Sequence, residues 1–497
     1  MWKRLYNELT AAEAASHIEN GDIVGIGGFS SVGTPKVVPA ALAERARTLH
    51  SEGKEFRIGL ITGGATGEQV DSQLADAGAV SFRTPFQSNG RMREAINSGD
   101  VAYFDVHLSH IGQDLRYGFL GKVNVAIIEV SDINEDGSFV LSTSVGITPT
   151  LALMADKVIV ELNECHTGKL DGMHDLYVPE MPPHRREIPI YKVNDRIGSR
   201  NLKVDRKKIV GVVVTNSRDR IAPFKALDET TKRIGQHVAE FLLMEWKKGG
   251  IPKEFLPVQS GVGNIANAVL GAMGDDEELP VFNMYTEVIQ NSVVDLMMKG
   301  RINFATGSSL TLSDEKLDLL YNNIDTLGNR LLLRPQEITN HPEIIRRLGV
   351  IAINTALEFD ICGNVNSTHV SGSRMMNGIG GSADFSRNAF LSIFTTPSTA
   401  KGGLISSIVP MVTHVDSTEH DVRILVTEQG VADLRGKSPV QRAECIIEKC
   451  VHPDYKELLW DYLKKTGKCH TPFILDDAFA MHRAFCMNGD MRTASFS

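Results

Sequence analysis

Cysteine is scarce in this 497-residue chain. The six thiols, Cys165, Cys362, Cys445, Cys450, Cys469 and Cys486, include no CxxC pair, which speaks against a disulfide framework and suits a reducing, cytoplasmic setting. Near the C-terminus Cys445, Cys450, His452, Cys469 and His470 cluster loosely, but C-x4-C-x-H matches no common zinc module and no metal site is expected. Long apolar runs are missing too. No stretch nears the ~18 consecutive apolar residues of a membrane span. The opening MWKRLYNELTAAEAASHI lacks the apolar core of a secretory leader and reads instead as a helix start, with Thr10 and Glu13 spaced as a capping box. Nor is there an excess of basic charge: 52 Lys+Arg against 61 Asp+Glu leave a net −9, the wrong sign for a chain whose main partner is a nucleic-acid backbone.

Glycine is what the sequence has in surplus, 44 residues where the usual ~7% would give about 35. With Pro (19) and apolar content (42%) ordinary, the surplus points to particular backbone positions rather than disorder. Short apolar runs followed by glycine-rich turns and helical stretches recur along the chain. Ile23–Phe29 leads to the helix-like VVPAALAERARTL, Phe56–Ile61 stops at Thr62-Gly63-Gly64, and 123–130, 157–162 and 209–214 are further strand candidates. Near-continuous apolar strands belong to parallel sheets buried on both faces. The polar stretch 216–223 suggests a boundary at 222/223, followed by a helix from Asp228 to Lys248. Strand candidates then resume at 257–260, 280–287, 302–307, 350–354, 404–410 and 422–428. The expectation is two tandem open α/β domains, 1–222 and 223–497.

Ligands of open α/β sheets bind where strands end. Gly261-Val262-Gly263-Asn264 reads either as an ordinary strand-to-helix turn or as converging N–H groups for an anion. It has neither the GxGxxG spacing nor the GK[ST] of nucleotide motifs. Glu287, past one strand and ahead of a helical run, is either a helix-start carboxylate or a nucleophile. Gly378, Gly380 and Gly381 mark a third place where backbone passes close to another strand or a ligand. In His107-Leu108-Ser109-His110 a structural hydrogen-bonding role is favoured over that of a base.

Taken together, YTEVIQ around Glu287, QSGVGNIANAV, EITNHP, MNGIGGSADF, STAKGG and VTEQG, with GGFSSVGTPK and FDVHLSHI in the first half, resemble the acetyl-CoA hydrolase/transferase family of class I CoA-transferases over essentially the whole chain. The resemblance implies CoA-transferase-like α/β/α domains and a ping-pong exchange in which Glu287 attacks an acyl-CoA thioester. It assigns Asn340 and Glu428 to orienting or neighbouring that glutamate. CoA-contacting and oxyanion-stabilising backbone falls at Gly261, Val262, Gly263, Asn264 and Ile265 with Gly381, and further CoA contacts at Asn377 and Lys401. Ala383 stands where relatives often carry glycine. CoA is implied as co-substrate, with no tightly bound cofactor, a short-chain carboxylate as partner substrate, and a homodimer. Arg91 and Arg220 are candidates for a second carboxylate of succinate. Water admitted to the same acyl-enzyme would make a hydrolase, and loss of turnover a CoA sensor.

Overall fold

The computed structural model describes residues 2–223 and 226–497, a mixed α/β protein with large, mainly parallel sheets. It forms two compact units: residues 1–223 with 283–348, and residues 224–282 with 349–497. The proposed cut at 222/223 lies beside the first of the three points where the chain passes from one unit to the other.

In the first unit the strands run, edge to edge, Ala102–Tyr103, Val80–Thr84, Ile58–Thr62, Ile23–Ile26, Val125–Ile133, Lys157–Asn163 and Ile209–Thr215. All these pairings are parallel, and Phe139–Leu141 adds an antiparallel pair to Val125–Ile133. Ile58–Thr62 is buried at every position, as a two-sided parallel strand requires. Helix Val37–Ser51 packs Val38, Leu42, Ala43 and Ala46 into the core with Ile26, Leu60 and Ile127. The capping box at Thr10 and Glu13 is present.

The GGFSSVGTPK loop is fastened by charge. Lys36 Nζ pairs with Glu129 and, at 2.9 Å, with Asp219, all three side chains being almost fully buried. Glu161 accepts the N–H groups of Lys36, Val37 and Val38 at the start of the following helix, where an anion suits the helix dipole. Burial pushes the Glu129 carboxyl up against the pull of Lys36, because a carboxylate removed from water is costly until paired.

In the second unit the order is Val258–Ser260, Ile351–Thr355, Leu391–Thr395, Ile424–Thr427, Gly430–Asp433. The first four are parallel neighbours and the last two an antiparallel hairpin. The helix expected from Asp228 runs Glu229–Lys247, with Asp228 accepting the Thr231 N–H at 2.8 Å. Two readings change. The apolar stretch 404–410 is not a core strand: Lys401, Gly402 and Gly403 all have positive φ and turn the chain away, leaving the two-residue pairs Ile405–Ser406 and Ile408–Val409. The core position goes to Leu391–Thr395, which the interspersed Ser392 disguised.

Candidate active site

Glu287 sits in a bend between the strands Phe282–Tyr285 and Val288–Gln290, and the helix begins only at Asn291. The helix-start reading therefore fails, since three strand residues separate the carboxylate from the first helical turn. Val288–Gln290 pairs in parallel with Ser309–Thr311. The Glu287 carbonyl accepts N–H bonds from Ser308 at 2.6 Å and Ser309 at 3.2 Å, while Thr286 N–H reaches the Thr306 carbonyl at 2.9 Å. The next residue, Val288, packs with Phe29, Leu108 and the partly buried Phe86, giving the bend an apolar shoulder.

Asn340 is fully buried and donates from Nδ2 to Glu287 Oε1 at 2.5 Å. Its amide is oriented by the Thr339 hydroxyl, which donates to Asn340 Oδ1 at 2.8 Å. The short helix Gln336–Thr339 that delivers Asn340 is itself held on both sides. Gln336 Nε2 donates to the carbonyls of Gly63 (2.8 Å) and Leu108 (3.2 Å). Glu337 takes two bonds from Arg116, at 2.7 and 2.8 Å, and one from Arg185 at 3.1 Å. Leu108 thus gives the HLSH segment a structural duty. Gln336, Glu337 and Ser308 escaped sequence reasoning: the partners of Gln336 and Glu337 lie more than a hundred residues away, and Ser308 meets Glu287 through its backbone N–H, which no side-chain pattern announces.

The remaining nine candidate residues belong to the second unit. Gly261 N–H extends the sheet by donating to the Ile353 carbonyl at 2.9 Å, and Gln259 and Asn354 exchange side-chain amide bonds at 3.1 and 3.3 Å. Val262 is 54% exposed. Gly263, at φ 103°, starts the twelve-residue helix Asn264–Asp275 with no side chain capping it, so the first-turn N–H groups, Ile265 among them, have no carbonyl of the helix to meet and lie at the positive end of its dipole. Gly381 precedes helix Ser382–Asn388, which buries Ala383. Asn377 Oδ1 is buried and has no hydrogen-bond partner among the described residues, an acceptor that a ligand donor would satisfy.

Glu428 follows the strand Ile424–Thr427 and grips the STAKGG turn: the Ser398 hydroxyl donates to Oε1 and the Ser398 N–H to Oε2 at 2.8 Å. Gln429 Nε2 adds a bond at 3.0 Å. Burial pushes the Glu428 carboxyl up, but these donors outweigh it and hold the group below its ordinary value. Lys401, three residues beyond Ser398, adopts φ 49°, rare for a non-glycine residue. Its Nζ lies 5.0 Å from the centre of the Phe485 ring. Ser398 was invisible as a partner because nothing in STAKGG announces a carboxylate.

Arg91 is taken up on the surface by Asp76 (2.8 Å) and Glu94 (3.1 Å). Arg220 is exposed. Among the described residues no three His, Cys, Asp or Glu side chains are grouped to hold a metal, and no helix is long and apolar enough to cross a membrane.

Known proteins match this chain over nearly its whole length. Models of the acetyl-CoA hydrolase/transferase N-terminal and C-terminal domains match residues 2–214 and 318–463. The chain is 47% identical to a propanoyl-CoA:succinate CoA transferase of Escherichia coli, covering 98% of this chain and 99% of that protein. It is 48% identical to a succinyl-CoA:acetate CoA-transferase of Clostridium kluyveri (97% and 90%), and 42% identical to an acetyl-CoA hydrolase of Saccharomyces cerevisiae (98% and 95%). Among solved structures, RipA from Yersinia pestis shares the fold at a TM-score of 0.72 and 23% identity, covering 94% of this chain and 99% of that one. A 4-hydroxybutyrate CoA-transferase from Porphyromonas gingivalis does so at 0.64 and 24%, covering 94% and 100%. The chain belongs to the acetyl-CoA hydrolase/transferase family.

Proposed function

We propose that this enzyme moves CoA between a short-chain acyl-CoA (acetyl-, propionyl- or succinyl-CoA) and a carboxylate such as acetate or succinate. The reading rests on one observation above the others: Glu287 stands on a bend outside helix and strand, with one carboxylate oxygen held by the buried amide of Asn340. A carboxylate positioned by a neutral donor keeps its charge and its nucleophilicity, and the fixed geometry lowers the entropy lost on attack.

In the proposed cycle the Glu287 carboxylate attacks the thioester carbonyl. The C–S bond breaks, CoA leaves as thiolate and an acyl–glutamyl anhydride remains. The thiolate attacks the glutamyl carbonyl and expels the acyl group as free acid anion, leaving a glutamyl-CoA thioester. An incoming carboxylate attacks the same carbonyl, expels CoA thiolate, and the reverse steps regenerate Glu287 with a new acyl-CoA. Electrons and charge balance at every stage, and one thioester replaces another. The cycle needs no tightly bound cofactor, only CoA as co-substrate.

The assigned roles follow the local chemistry. Asn340 orients Glu287. The N–H groups of the Gly261–Ile265 turn, with Gly381, meet the oxyanions, a contribution of about 2.7–4 kcal/mol per donor in comparable sites. Asn377 Oδ1 accepts from CoA, Lys401 answers its phosphates, and Glu428 sets the STAKGG turn that carries Lys401. Residues 1–222 and 223–497 are the two CoA-transferase-like halves, the second lending 283–348 to the first compact unit.

Hydrolysis is the second reading, favoured by the acetyl-CoA hydrolases among the relatives. Steady-state rates with acetyl-CoA at varied acetate, propionate and succinate decide between them. Transfer gives parallel double-reciprocal lines and CoA exchange dependent on the acid. CoA release indifferent to every carboxylate would establish the hydrolase instead.

A further inference from the structure

The hairpin that ends at Glu428 has a second end. Ile424–Thr427 and Gly430–Asp433 pair antiparallel with Ile424 opposite Asp433. Leu434 N–H donates to the Arg423 carbonyl at 2.8 Å, so Arg423 and Leu434 close the hairpin away from Glu428. Four residues at ~3.3 Å each put about 13 Å of strand between the two ends.

A cavity of about 440 Å³ opens at this far end, within the ~300–1,000 Å³ span of small-molecule sites. Four cationic side chains, Arg423, Arg435, Lys437 and Arg442, line it against a single acid, Glu419, and His420 and His470 add proton-accepting rings. In a chain of net charge −9 such a lining is local, and a concave wall of one sign concentrates its field.

The four cations are not equivalent. Arg435 is answered by Asp433 (2.6 and 2.9 Å) and Glu245 (3.0 Å). Arg442 is buried and bound by main-chain carbonyls alone: Cys362 at 2.6 Å, Glu419 at 2.9 Å, Val422 at 3.1 Å and Leu434 at 3.3 Å. Those carbonyls fix the guanidinium, and among the described residues no carboxylate forms an ion pair with it, the Glu419 and Asp360 charges acting on it only from a distance. Arg423 and Lys437 are exposed and make no side-chain hydrogen bond or ion pair among the described residues. Ser438 and Gln441 satisfy each other in a capping box at the start of the neighbouring helix Pro439–Cys450, so recognition here is left to the side chains.

We propose that this cavity binds a small polyphosphate anion, a di- or triphosphate group, between Arg423 and Lys437 over the fixed charge of Arg442. Two unpaired cations in one lining suit a chain of phosphates better than a single carboxylate, and guanidinium and ammonium both favour phosphate oxygens. None of its lining residues is among those assigned to CoA above, and the proposal does not depend on that assignment.

Calorimetric titration of the full chain with tripolyphosphate tests it, with ATP as the arm that asks whether a base and sugar add affinity. The expected result is one saturable site that weakens with added salt and loses at least about tenfold in affinity in Arg423→Glu/Lys437→Glu. Lys54→Glu, which alters an exposed lysine in the first unit, should leave it unchanged. KM for acetyl-CoA in the double variant should stay at the wild-type value. Absence of a saturable event, equal binding by the double variant, or a parallel rise in its acetyl-CoA KM would each overturn the proposal.

Discussion

Glycines beside Gln336 in the first unit and in the QSGVGN and STAKGG turns of the second do opposite work. Around Gln336 in the first unit, glycine is demanded by packing: a Cβ on Gly63 would stand 2.8 Å from both the Gly28 carbonyl and Gln336 Oε1. In the second unit a Cβ on Gly261 would meet nothing nearer than the Ile353 carbonyl at 3.7 Å, and one on Gly263, Gly402 or Gly403 nothing within 4 Å. One region is filled with its own protein and serves to fix side chains, Asn340 and Glu287 above all. The other leaves room beside its backbone, as main chain that must approach a foreign molecule does. The same residue type therefore marks rigidity in one place and vacancy in the other, and only the surrounding atoms tell which.

Substitutions can break this contrast, and the largest effect falls on the fixed side chains. Asn340→Ala removes the donor on Glu287, and kcat for CoA exchange should fall about 10²–10³-fold with the fold retained by circular dichroism. A loss in KM alone would mean that Asn340 serves binding, not orientation. Gly63→Ala should destabilise the chain by about 1–3 kcal/mol, since backbone must shift to admit the methyl. Denaturant unfolding reads this directly, and an unchanged midpoint would place Gly63 with the vacant glycines. Gly261→Ala should leave that midpoint unchanged yet raise KM for acyl-CoA about tenfold, because the methyl occupies space kept for the ligand.

Glu428 gives the smallest expected effect, and it depends on pH. Its folded pKa lies below the ordinary 4.5, so its stabilising bonds to Ser398 are present above about 4.5 and are lost as pH falls through the depressed value. The stability gap between wild type and Glu428→Gln should accordingly narrow in acid. A gap constant with pH would mean that the charge on Glu428 contributes nothing to holding the STAKGG turn.

Much of the second unit was legible because its signals are local. A glycine turn followed by a helix at Asn264, an aspartate cap at Asp228 and apolar runs flanked by turns can all be read within a few residues. What stayed hidden was non-local. The pairing of Val288–Gln290 with Ser309–Thr311 moved Glu287 off a helix start, and the bonds from Gln336 to Gly63 and Leu108 span more than two hundred residues. Leu391–Thr395 outcompeted 404–410 for the sheet because three successive positive-φ residues redirected the latter, a backbone property that apolar composition does not encode. The site residues themselves came from whole-chain resemblance. Taken alone, a glutamate after a strand and ahead of a helical run reads first as a helix-start charge.

The central claim is that Glu287 carries the acyl and CoA groups in turn. Mass analysis of the Glu287 peptide after incubation with acetyl-CoA and borohydride tests it most directly. The account predicts reduction of that carboxyl to a primary alcohol in the wild type and no reducible group in Glu287→Ala, which should also fail to exchange CoA. An unmodified Glu287 peptide in an actively exchanging enzyme, or exchange at the wild-type rate by Glu287→Ala, would contradict it.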